Sequence, residues 1–455
     1  MSSVTLHTTA HDDDGSVHVE GPFPLTGHRA VREDTPALFV NPERQFQTLV
    51  GIGAAITDAS AEVYAGLPED SQRAILDACW NPTTGNGYAL ARTSIHSCDF
   101  SSGSYTYVDD GDEALATFDV AHDRRHRIPL VRAAREVAGG DLKLLASPWS
   151  APAWMKDNDS MLGGGRLRPE YHGLWARYVA HFLTAWAEEG LPFWGLTVQN
   201  EPAAEQRWES MLWTAAEERD FVRHHLAPTL AEAGLADVRI IGWDHNRDLL
   251  PHRARVILDD PEAAKLFWGM GFHWYETWSG SDQLFRNVAA VCAAHPEANL
   301  LMTEACVEGF DRDRLDDWAH AEHYARALIG DLGAGACAWI DWNFLLDTEG
   351  GPNHVGNFCF APVHADPESG EVIFTRSHRV LGHFSRFLKP GGQRIDATTS
   401  RSALATVAFR APEGHLVVVV LNEDGEETAY DLHVSDDAVQ LRIPGHALQT
   451  LVCEA

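Results

Sequence analysis

Two kinds of apolar pattern alternate along most of the chain. Short and almost uninterrupted apolar runs recur between residues 46 and 385: TLVGIGAAITD, YALARTSIHSCDF, LKLLASPWSAP, PFWGLTVQNEP, VRIIGWDHN, FWGMGFHWYE, NLLMTEACVEG and GACAWIDWN. Runs of this length read as strands covered on both faces. The longer segments between them place apolar residues at helical spacing. In WARYVAHFLTAWAEEG, for example, Trp175, Val179, Phe182, Leu183 and Trp186 share one face. Eight strand candidates alternating with helices predict a (β/α)8 TIM barrel over residues 46–388. Beyond about residue 388 the helical period disappears, and residues 389–455 read as short strands joined by PEG and EDG turns. Residues 1–45 hold the alternating stretch SVHVEG and no convincing helix. The predicted architecture is therefore α/β: a barrel with an attached β-sandwich domain built from both chain termini.

The polar residues gather at one end of these runs. The runs close on Asp58, Cys98-Asp99, Trp149, Asn200-Glu201, Asp244-His245, His273-Tyr275, Glu304 and Trp342-Asn343. In a barrel of this kind the site lies at the C-terminal ends of the strands. Glu201 closes the fourth run and Glu304 the seventh, so the two glutamates face each other across the mouth. Either one alone would read as well as a helix cap or an arginine partner. Together they suit the hydrolysis of a glycosidic bond, where one carboxyl protonates the leaving oxygen and the other attacks or activates water. The chain holds 15 tryptophans. Of those near strand ends, Trp149 and Trp342 are the expected sugar contacts, because an indole face packs against the C–H face of a pyranose.

Charge and composition narrow the partners. With 35 Lys and Arg against 66 Asp and Glu the formal charge is −31, which disfavours nucleic acid and anionic membrane. Seven cysteines without a CxxC pair read as reduced and mostly buried thiols. His122 and His126 stand four apart but without an intervening glutamate, and no phosphate-binding glycine loop is present. No metal and no cofactor are expected. The opening MSSVTLHTTAHDDDG lacks a basic start and an apolar core, which implies a cytoplasmic chain. A secreted chain with its signal already removed would read the same. No apolar run approaches the length of a membrane span. Homo-oligomerisation is left open.

GIGAAITDA, SCDFSSGSYTY, LLASPWSAPAWMK, VQNEP, HWY, TEACV, DWN and EGGPN occur in the order found in glycoside hydrolase family 30. From about residue 45 to the end the chain resembles that family, and within it the glucosylceramidase (acid β-glucosidase) branch and its bacterial relatives. The resemblance implies a barrel with a β-sandwich. It implies Glu201 as general acid/base and Glu304 as nucleophile of a retaining double displacement, for which the carboxyl groups stand about 5–5.5 Å apart. Asn200 would hold the sugar 2-hydroxyl, Asp58 and Trp149 other hydroxyls, and Trp342 would wall the sugar subsite. Arg92, His273, Tyr275 and Asn357 match the shell around the glutamates, with Tyr275 and Asn357 on its substrate side. The segment AAEQRWESMLW is shorter than in the lysosomal enzyme, and HWYETWSG departs after HWY, so the leaving-group side is the less defined one. The expected substrate is a β-glucoside or a short β-gluco-oligosaccharide cleaved from its end. A β-1,6-glucanase, β-xylosidase or β-fucosidase is the alternative within the family, and a non-catalytic sugar-binding barrel the alternative outside enzymes.

Overall fold

The computed structural model describes residues 3–13 and 16–454. Eight parallel strands close into a barrel: β1 (Gly51–Ala55), β2 (Leu90–Ile95), β3 (Lys143–Pro148), β4 (Gly195–Thr197), β5 (Arg239–Asn246), β6 (Gly269–His273), β7 (Asn299–Glu304) and β8 (Ala336–Asn343). Each pairs in parallel with the next, and β8 returns to β1. Every apolar run of the sequence supplies one of these strands. Their outward side chains pack against the surrounding helices, among them His172–Glu188, whose Trp175, Phe182, Leu183 and Trp186 are buried. Inward residues Leu90, Leu145, Ile241, Leu301 and Ile340 fill the barrel itself, so its floor is a core and not a channel. Gly53 is required by close approach: a Cβ there would lie 1.8 Å from the carbonyl oxygen of Leu90 on β2.

Outside the barrel, a nine-stranded sheet draws on both termini. Ser3–Ala10 pairs with Ala447–Glu454, and Ala37–Thr48 lies between Gln393–Thr399 and Thr428–Val434. Val4, Leu6, Leu38, Val418, Val420, Leu432 and Leu451 are buried in its core. Pairing passes from this domain to the barrel at Leu49 and Val50, whose amides donate to the carbonyls of Gly392 and Cys337 at 2.7 Å each. A small sheet of Leu345–Asp347, Val363–Ala365 and Val372–Phe374 ties down the ends of the loop that follows β8. That loop carries Asn353, His354 and Asn357 to the barrel mouth. All seven cysteines are free thiols, and no described helix is long and apolar enough to cross a membrane.

Candidate active site

Backbone irregularities aim the polar side chains inward. The chain leaves β4 at Thr197, and Glu201 sits at φ +47°, a left-handed conformation unusual for a residue with a Cβ. Its amide donates to the carbonyl of Asp244 at 3.0 Å, and that of Asn200 to Pro148 at 2.8 Å. On β5 the register slips between Trp243 and His245, and Trp243 and Asp244 take φ of +71° and +57°. This bulge turns the Asp244 carboxylate into the barrel. Strained residues thus collect where the polar side chains converge, as they do at functional sites.

Glu201, His273 and Glu304 meet there. One oxygen of each glutamate and one ring nitrogen of His273 all lie within 4.8 Å of one another. Glu304 ends β7 and is nearly buried. Arg92 on β2 donates to one of its oxygens, and the Tyr275 hydroxyl donates to the other at 3.0 Å. The same guanidinium donates to Asn200 Oδ1 at 2.7 Å, Asp244 Oδ2 at 2.9 Å and Ser147 Oγ at 2.9 Å. It lies 4.9 Å from the Trp149 ring centre and 5.5 Å from that of Trp342. Asp244 in turn accepts from Thr303 at 2.6 Å and faces His273 Nε2 at 2.9 Å. The other His273 nitrogen faces Glu201 at 3.3 Å, and Gln206 donates to Glu201 at 3.4 Å.

Burial raises the pKa of every carboxyl here, and the neighbours decide the outcome. Arg92 and His273 overcome burial at Asp244 and hold it well below the carboxylate range. Burial disfavours the His273 cation, but the charge of Glu304 and the hydrogen bonds to Asp244 and Glu201 raise its pKa to about 9. At Glu201 the charges of His245 and His273 outweigh burial and lower the pKa. Burial and the facing charge of Glu201 keep Glu304 above its ordinary value despite His273 and Arg92. The three acids, the histidine and the arginine form one charge cluster.

Glu201 and Glu304 line a pocket of about 590 Å³. Trp149 and Trp342 stack at 5.2 Å with their planes 24° apart and wall one side. Asp99 and Asn357 close the same end, where Asn357 and Asn353 donate to Asp99 Oδ2 at 3.1 and 3.3 Å. Ala203, Gln206 and Trp208 from the segment after Glu201 also line it, as do Leu249, Trp278 and Glu308, and Trp208 packs against the cluster that holds Trp149 and Trp342. A concave site with paired carboxylates, stacked indoles and amides suits a sugar.

A family model described as the glycosyl hydrolase family 30 TIM-barrel domain matches residues 49–388, and one described as the family 30 beta sandwich domain matches residues 391–451. The chain belongs to glycosyl hydrolase family 30. It is a glycoside hydrolase and acts on carbohydrate. It is 35% identical over 431 residues to the lysosomal acid glucosylceramidase of Mus musculus, covering 91% of this chain and 82% of that one. It is also 28% identical over 407 residues to an endo-1,6-beta-D-glucanase of Neurospora crassa, covering 85% and 81%. The crystal structure of SrfJ from Salmonella typhimurium superposes with a TM-score of 0.92 at 31% identity, over 99% of both chains.

In this family 30 barrel, Glu201, Glu304, Trp149, Asn200, Tyr275, Trp342 and Asn357 all line the pocket. Arg92 and His273 stand behind the glutamates and touch them. Asp58 is placed elsewhere. Its carboxylate is buried outside the pocket, accepting from Ser101 at 2.7 Å and Tyr105 at 2.9 Å with Arg127 and His122 at 3.6 Å. The carboxylate that lines the pocket beside Asn357 is that of Asp99, the acidic residue of SCDF. Burial raises the Asp99 pKa to about 8, against the donation from Asn357. Sequence reasoning also passed over Asp244 and Trp208. Asp244 was visible as the polar end of β5, but only the bulge reveals that it turns inward. Among the described residues, Glu201, His273 and Glu304 are the group that could approach a cation. Their ligand atoms are already committed, with Arg92 on Glu304 and a carboxylate at each His273 nitrogen. The guanidinium supplies the positive charge that a metal would bring.

Proposed function

We propose that the protein is a retaining, exo-acting β-glucosidase of the glucosylceramidase type, with Glu304 as nucleophile and Glu201 as general acid/base. The observation that carries this reading is the approach of the two glutamates, whose oxygens lie within 4.8 Å. Inverting enzymes keep their carboxyl groups about 6.5–9.5 Å apart to admit a water, and retaining ones about 5–5.5 Å. Glu304 attacks the anomeric carbon while Glu201 protonates the leaving oxygen. Glu201 then takes a proton from the water that hydrolyses the glycosyl-enzyme. Arg92 and Tyr275 each donate to Glu304 and favour its anion. Moving the Nδ1 proton of His273 across the 3.3 Å contact gives an acidic Glu201 beside a neutral imidazole, with no change in the proton count of the site. Asn200, held by Arg92, presents its amide group to the sugar 2-hydroxyl, and Asp99 and Asn357 serve hydroxyls at the closed end of the pocket.

The glucose reading is supported by the 35% identity to a glucosylceramidase. A β-1,6-glucan is the second substrate to weigh, on the similarity to an endo-1,6-beta-D-glucanase and on the open, tryptophan-flanked side of the pocket. Aryl β-glucosides, β-xylosides and β-fucosides, assayed beside gentiobiose, β-1,6-glucan and glucosylceramide, test the proposal. The β-glucoside should be the best aryl substrate, with release from the chain end. Turnover of β-1,6-glucan without any of the aryl glycosides would replace it with an endo-glucanase.

A further inference from the structure

Behind the pocket wall lies a carboxylate that the reaction as described does not use. Glu209 is fully buried, and neither of its oxygens has a hydrogen-bond donor. A bare carboxylate is costly in such a place unless something opposite it supplies charge or a proton. The group facing it is His354, whose Nε2 lies 3.4 Å from Glu209 Oε2. On the other side of the ring, Nδ1 lies 3.0 Å from the carbonyl oxygens of both Asp99 and Ser101. Carbonyls only accept, so Nδ1 carries hydrogen and Nε2 is the atom left to face Glu209. Nε2 has no hydrogen-bond partner of its own, so a proton on either Nε2 or Oε2 would pair the two. The His354 amide also donates to the Asp99 carbonyl, at 3.2 Å.

The ring is therefore a strut between Glu209 and the backbone of Asp99. Both ends are anchored. Asn353 and Asn357, which flank His354, hold the Asp99 carboxylate inside the pocket. On the Glu209 side, the buried Lys156 ammonium donates to the Ser210 carbonyl at 2.7 Å, the Ser150 hydroxyl at 2.9 Å and the Met161 carbonyl at 3.3 Å. Those bonds pin the residue that follows Glu209, and the Ser210 hydroxyl receives the Gln206 amide at 3.1 Å.

We propose that Glu209 is a positioning residue for the sugar: through His354 it fixes Asp99 and so the closed end of the pocket. This rests on the sugar-holding role given to Asp99 above.

The test is a mutant cycle on an aryl β-glycoside that the wild type hydrolyses. Glu209→Ala should lower kcat/KM by about ten- to a hundredfold, the scale of an ångström-level displacement. Glu209→Gln, whose amide can still donate to Nε2, should recover most of it. In an Asp99→Ala background Glu209→Ala should cost nothing more, because residues acting through one another are not additive. Multiplicative losses, or wild-type kinetics in Glu209→Ala, would overturn the proposal. If Glu209→Ala does not fold, His354→Asn, which keeps a donor near Asp99 but cannot reach Glu209, should show the same loss. Wild-type activity in that variant would also overturn it. Nitrogen NMR of His354 reads the strut without turnover: hydrogen on Nδ1 supports it, and a neutral ring with hydrogen only on Nε2 contradicts it. A wild type inactive on every β-glycoside would remove the function above, and the imidazole signals would then decide the strut alone.

Discussion

Arg92 lies against the Glu304 carboxylate where solvent scarcely reaches, with the arginine side chain fully buried and that of Glu304 8% exposed. The same guanidinium reaches Asn200, Asp244 and Ser147, so one side chain on β2 orders groups from β3, β5, β7 and the loop after β4. Removing it leaves two buried acids without their counter-charge. Arg92→Met should therefore lower stability by about 3–5 kcal/mol, the usual cost of breaking a buried pair from one side. It should also reduce kcat/KM more than about a hundredfold, since the nucleophile loses its fixed donor. Denaturant unfolding with parallel kinetics checks both. Stability within about 1 kcal/mol of wild type would show that Arg92 does not hold this cluster.

The proposed mechanism gives the two glutamates different roles, and variants should separate them. Glu304→Gln should abolish turnover and labelling by a 2-fluoro glycoside, because no nucleophile remains. Glu201→Gln should still be labelled by reagents with a good leaving group such as dinitrophenolate, and azide should restore its turnover by intercepting the glycosyl-enzyme. Intact mass spectrometry reads the label. A labelled Glu304→Gln protein would move the nucleophile elsewhere.

His273 gives a dependence on pH whose sign is fixed. Its pKa is about 9 in the fold against an ordinary 6.5. A raised pKa means that the folded state holds the proton more tightly, so this stabilisation is complete below about 6.5 and fades as the pH rises through about 9. The stability advantage of wild type over His273→Gln should therefore be largest near pH 6, shrink between about 6.5 and 9, and be gone above about pH 9. Thermal unfolding of the two proteins across that range measures it. An advantage that grows with pH would mean that His273 is not a cation in this site.

Trp278 is 77% exposed yet borders the pocket, and the proposed function puts it on the leaving-group side. An indole so placed contributes little to folding and has a face free for a second sugar. Trp278→Ala should leave the melting temperature unchanged and lower kcat/KM for gentiobiose about three- to tenfold. The value for a small aryl glucoside should hardly move. Equal losses on both substrates would place Trp278 in contact with the glycone.

The barrel was legible because each of its strands is a nearly continuous apolar run ending in polar residues, a pattern that β1 to β8 all follow. The glutamate pair was legible for the same reason, since Glu201 and Glu304 close the fourth and seventh runs. What the sequence did not convey was direction. Asp58 and Asp99 stand at the ends of neighbouring runs and look equally suitable. Asp58 opens a helix and turns its carboxylate to Ser101 and Tyr105, whereas Asp99 is held in the pocket by amides from a loop more than 250 positions later. Asp244 reaches the cluster through a bulge with two left-handed residues that the apolar pattern does not encode. The Glu209–His354 contact joins two loops and has no periodic signature at all.

The most direct test is the anomer released first when the enzyme hydrolyses an aryl β-glucoside in an NMR tube. Two displacements, by Glu304 and then by water activated by Glu201, predict β-glucose before mutarotation produces the α form. Initial release of α-glucose would mean a single displacement by water and would contradict the assignment of Glu304 as nucleophile.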